Sequence, residues 1–201
     1  MRKDTIFKDW LVIAQSADFK IEKFSRPHYI RYKVSGWKAL LPFTRKQLAV
    51  EVPQSLNSLT IGQLIRLGRI SGTTESGYEV CDIVLGMSHR DTENARATDV
   101  VRLCGWVISE AEKIGKLFDS SNPKPSDEER KAGIDTLKFG LFGMLDWYAK
   151  RMHIQDQEQV ANVSWMKIYK CIDMDNKQNM FNRRYQEVLN DEYRRKNKVN
   201  R

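Results

Sequence analysis

The hydrophobic period of this chain changes at Pro53, and that change limits the folds open to it. Before Pro53, Ile30, Tyr32 and Val34 interleave with Arg31 and Lys33, and Leu48, Val50 and Val52 follow the same step of two. The segment 18–24 repeats the pattern with Phe19 and Ile21. A step of two places alternate side chains on one face of a strand. Beyond Pro53 the apolar residues recur every three or four positions, which gathers them on one side of a helix. The class this implies is α+β: a mainly α-helical body, a helical bundle, with a small N-terminal β-ribbon region. Three short strands bury little on their own, so the ribbons need the helical body or another subunit to pack on.

The boundaries follow. Residues 1–52 form a basic extended region, 53–192 a helical domain, and 193–201 a basic tail too polar to pack. A short helix is expected over 6–14. Thr60 is placed to cap a helix carrying Ile61, Leu64, Ile65 and Leu67, with Gly68 or Gly72 to end it. Another short helix over 78–85 stops at Gly86. Val100, Cys104, Val107, Ala111, Ile114 and Phe118 line one stripe of a long helix over 99–118, and the loop 119–126, with Pro123 and Pro125, breaks it. Ser126 and Glu129 make a capping-box pair for a helix expected to run from 127 to 152. Leu137, Leu141 and Leu145 share one of its faces and Phe139, Phe142 and Trp147 lie on another. Both are expected to be buried in a three-helix core, the rival reading being that the second face is a subunit interface. The final helix starts at Ser164, with a break near 173–179 and a frayed end.

Charge is unevenly spread. Of the formal +8, residues 1–52 carry +6, residues 53–125 carry −1 and residues 126–201 carry +3. Basic patches attract nucleic acid and acidic protein surfaces alike. Arg31 and Lys33, with Arg194, Arg195 and Lys196, are therefore candidate contacts for nonspecific nucleic acid or an acidic partner. Their apolar neighbours Ile30, Tyr32, Val34 and Trp37 are candidates for a subunit interface. No run approaches the roughly 18 apolar residues of a membrane span, so no membrane partner is expected. The first ten residues are charged where a signal peptide needs an apolar stretch, which fits a cytoplasmic site of synthesis.

Chemistry-bearing patterns are missing. Cys81, Cys104 and Cys171 are far apart and read as buried reduced thiols. His28, His89 and His153 fall in different elements, none with a second ligand at helical spacing. The run 173–184 fails as a calcium loop, with Gln178 where glycine is required and Arg184 where glutamate is required. Gly115 and Lys116 lack the upstream glycine of a phosphate loop, and no nucleophile elbow is present. The segments 60–67 and 78–85 can be set out as a helix-turn-helix, yet the second carries Glu79 and Asp82 where base-reading residues are needed. The expectation is no cofactor, no metal, no catalytic residue and no enzyme activity.

One further pattern runs from Val52 to the end. It begins with Pro53, Leu56, Leu59, Thr60, Gly62 and Gln63, and continues to a turn at Leu85 and Gly86. It includes Asp146, Trp147 and Tyr148, then Trp165 to Tyr169, then Asn182 to Tyr185. Together these resemble small structural and assembly proteins of tailed bacteriophages, in particular the neck, ring and tail-assembly proteins of crAss-like phages. The resemblance implies a virion protein made in the host cytoplasm, forming a cyclic homo-oligomer such as a dodecamer in the neck or tail beneath the portal. Its implied partners are itself, the portal, ring and tail proteins, and the DNA passing through the channel. A tail-assembly chaperone is the alternative within the same resemblance, and a small nucleic-acid-binding regulator is the alternative from another class. The basic N-terminal ribbons depart from the mostly helical chaperone pattern and favour the ring.

Overall fold

A computed structural model describes residues 5–14, 25–34, 47–70, 76–137 and 139–199. The chain is α+β and mainly helical, and divides into two compact units, Met1–Ile114 and Gly115–Arg201, with the division inside one long helix.

The first unit holds α1 (Phe7–Ala14), β1 (Tyr29–Lys33), β2 (Gln47–Glu51), α2 (Ile61–Arg69), α3 (Ser76–Leu85), α4 (His89–Glu93) and most of α5 (Ala97–Ser121). β1 and β2 pair antiparallel, with Ile30 opposite Val50 and Lys33 opposite Gln47. Between α4 and α5, Ala95 and Arg96 form isolated bridges that widen this ribbon. Lys33 N–H donates to the Asn94 carbonyl and Arg96 N–H to the Arg31 carbonyl. On its other edge, Phe7 N–H donates to Ala95 and Ala97 N–H to Thr5. The short strands thus find partners for backbone groups that are costly to bury unpaired.

The period-two pattern marks the core face. Ile30 and Val52 are fully buried, Tyr32 and Val34 half-buried, and Arg31 and Lys33 exposed. Phe7, Leu56, Val80 and Leu103 complete the interior of this unit. Fully burying each such side chain is worth about 1.5–3 kcal/mol. Thr60 caps α2 as expected: Gln63 N–H donates to Thr60 Oγ1 at 3.2 Å and Thr60 N–H to Gln63 Oε1 at 2.9 Å. That helix runs through Gly68 and ends at Arg69, with Ile70 extended. Gly86, at φ +63°, closes α3.

The second unit begins with the end of α5. It continues with α6 (Asp127–Lys131), a 3₁₀ turn at Ile134–Thr136, α7 (Gly140–Met152), a second 3₁₀ turn at Gln157–Asn162, and α8 (Trp165–Val199). Ser126 and Glu129 form their capping box at the start of α6. The single helix expected over 127–152 is corrected to two short ones. Gly133 (φ +87°) and Gly140 (φ +54°) are left-handed, a conformation no right-handed helix continues through. The expected burial of both faces is corrected too. Tyr148 and Ala149 are buried, but Leu137, Phe139 and Phe142 are 62%, 68% and 69% exposed.

The break expected at 173–179 does not occur, and the end is helical rather than frayed as far as Val199. Lys177 pairs with Asp173 at 2.7 Å and Gln178 donates to Asn182 at 3.1 Å, so i,i+4 contacts carry the helix through its polar stretch. The first turns of α8 pack by aromatic contact, with Phe118 set 6.2 Å from Trp165 and 5.5 Å from Tyr169. Asn176 Nδ2 then donates to the Ser121 carbonyl, Arg151 pairs with Asp175, and Arg183 reaches back to Glu129.

Candidate functional site

The structure offers a basic face in the first unit and an apolar surface in the second. The basic face is built on β1, where the alternation that sends Ile30 inward sends Arg31 and Lys33 outward. Arg31 is held by the buried Asp99, in the first turn of α5, through Nε–Oδ2 at 3.1 Å and Nη2–Oδ1 at 3.4 Å. Asp99 sits among helix N-terminal N–H groups that also favour its charge. This fork fixes the guanidinium and spends part of its charge internally, so Arg31 is a structural tether as well as a surface cation.

Around that pair lies an open hollow of about 510 Å³, lined by Arg26, His28, Arg31, Asp99 and Arg102. Arg26 Nη1 donates to the Val52 carbonyl at 2.7 Å and Arg102 Nη2 to Ser25 Oγ at 3.1 Å, so both cations are positioned rather than loose. A second hollow of about 360 Å³ is lined by Tyr32, Lys33, Gln47, Asn94 and Arg96. Burial, with Asp91 nearby, pushes the Tyr32 hydroxyl above its ordinary range, so it stays a neutral donor at physiological pH. Fixed cations beside neutral donors are chemistry for phosphate or carboxylate groups.

The proposed interface residues fall differently from expectation. Ile30 belongs to the core of its own unit, while Tyr32 and Val34 are half-buried. Trp37 lies outside the described residues. Arg194, Arg195 and Lys196 are exposed on the last turns of α8. Arg26, Asp99 and Arg102 were not legible as site residues: Arg31 and Asp99 are 68 positions apart and no local motif links them.

In the second unit the exposed apolar surface takes two forms. Leu137, Phe139, Leu141 and Phe142 are each exposed at the entry to α7. Along α8, where every residue from 177 to 197 is exposed, Met174, Phe181, Tyr185, Val188 and Leu189 line one side.

Burial pushes the Cys81 thiol up to about 12 and the Cys104 thiol higher still, which keeps both protonated and unreactive. Among the described residues no group of three or more His, Cys, Asp and Glu is placed to hold a metal ion, and no helix is long and apolar enough to cross a membrane. Comparison with protein-family models, curated proteins and solved structures finds no significant match to the chain.

Proposed function

We propose that this protein is a structural assembly subunit of a tailed bacteriophage, a component of a cyclic ring in the neck or tail beneath the portal. The observation that carries this reading is the exposed apolar surface of the second unit. Monomeric soluble proteins rarely leave contiguous apolar patches larger than a few hundred Å² uncovered, and large ones mark contact sites. Here nine large apolar side chains stand exposed at the entry to α7 and along one side of α8, which suits a subunit that repeats the same contact around an axis. The sequence resemblance to phage neck and tail proteins supplies the setting. The basic face at β1 fits a subunit near the phosphate backbone of DNA, bound without sequence readout.

The chaperone reading uses the same apolar surfaces transiently, and the two part on the fate of the protein. A ring component stays in the finished particle. Mass spectrometry of purified particles, with negative-stain imaging of the isolated protein, tests this. The reading requires the chain in the particle at a fixed ratio to the portal, and closed rings in isolation. Its loss from finished particles would leave the chaperone.

A further inference from the structure

The two apolar surfaces of the second unit are both exposed in the folded chain, so they do not cover each other within one copy. On α8, Met174, Phe181 and Val188 recur every seven residues, with Tyr185 and Leu189 on the same side. Asn176 and Arg183, which bind Ser121 and Glu129, lie about half a turn round the helix from that stripe. The stripe therefore faces away from the unit's own packing. Met174, Phe181, Tyr185 and Val188 are 52–61% exposed there.

We infer that the α8 stripe of one copy docks on the α7 entry face of the next, giving a head-to-tail contact between two different surfaces of the same chain. This rests on the self-assembly reading above and names its interface. Three observations select a second copy as the occupant. The first is size. With about 200 Å² for a fully exposed large side chain, each face presents roughly 500 Å², and the pair reaches the ~1,000 Å² at which specific interfaces begin. The second is length: at 1.5 Å per residue the stripe from Met174 to Leu189 spans about 22 Å, long enough to cover the exposed α7 entry at 137–142. The third is charge. α6, ahead of the α7 face, carries Asp127, Glu128 and Glu129 against Arg130 and Lys131, whereas the last turns of α8 carry Arg194, Arg195 and Lys196 against Asp191 and Glu192, so the net signs are opposite. An antiparallel crossing brings these opposite charges together. Because the two surfaces differ, each copy keeps one of each free, and the contact propagates until it closes.

The test uses two full-length variants, Phe139→Glu with Phe142→Glu, and Phe181→Glu with Tyr185→Glu, at positions already exposed. Circular dichroism checks that each keeps its helix content, and serine at the same positions provides a second pair. Native mass is then read for the wild type, each variant and their equimolar mixture. The inference requires a multimeric wild type, each variant alone at the 23.5 kDa monomer mass, and a mixture at twice that mass and no higher. In the mixture one intact stripe meets one intact α7 face, and the broken faces end the chain. A mixture that stays monomeric would overturn it. So would an α7 variant that dimerises alone, which would mean that stripes pair with each other. If both variants assemble as the wild type does, the ring reading survives and this interface does not. A monomeric wild type removes both.

Discussion

A Cβ placed on Gly77 would run into the ring of Phe7, which is buried against Trp10 and Tyr78 at centroid distances of 5.6 and 5.2 Å. Alanine is the better helix former by about 1 kcal/mol, but overpacking a filled interior costs about 1–3 kcal/mol. Gly77→Ala is therefore expected to lower the urea midpoint. Gly68→Ala, whose Cβ meets nothing within 4 Å, should raise it. Shifts of the same sign would mean that Phe7 yields. Acid sensitivity is also set by single residues. The hydrogen bond from Ser126 N–H, and then Arg183, hold the Glu129 carboxyl below its ordinary 4.5. With the folded value below the unfolded one, its contribution is complete above about pH 4.5 and is lost as pH falls through the lowered value. Glu129→Gln should reduce the loss of stability on acidification below about pH 4.5, as followed by urea unfolding. An unchanged profile would place that acid loss elsewhere.

At the scale of elements, the two glycines that divide residues 127–152 make a test with a definite sign. In one continuous helix, alanine at 133 or 140 would stabilise by about 1 kcal/mol. In the observed fold both positions are left-handed, so Gly133→Ala and Gly140→Ala should each destabilise by about 1–2 kcal/mol in chemical unfolding. A gain in stability would restore the single helix. This segment also shows where reading the sequence stops. The caps at Thr60 and Ser126 were legible because their chemistry closes within four residues. The break was not, because glycine in an apolar run serves equally as close packing or as a turn. The polar stretch 173–179 looked like a break because Met174 is its one apolar residue, yet a helix running through solvent does not need more. The bridges at Ala95 and Arg96 and the Arg31–Asp99 fork depend on partners tens of residues away, which no local pattern reports.

For the whole molecule, the division into two units separates two kinds of surface. The first unit spends its apolar alternation on its own core and keeps a set of positioned cations outside. The second spends only part of its apolar content internally and leaves the α7 entry and the α8 stripe uncovered. Exposed charges act over a distance of about 8 Å at physiological salt, so contacts of the basic face should weaken as salt rises. Contacts made by the apolar faces should not. The central claim is that this chain completes its apolar packing in an assembly of its own copies. Native mass of the wild-type protein, followed on dilution through the micromolar range at high and low salt, tests it most directly. The account predicts one discrete species at a whole-number multiple of 23.5 kDa, retained at high salt. A stable, folded monomer at every concentration would contradict it.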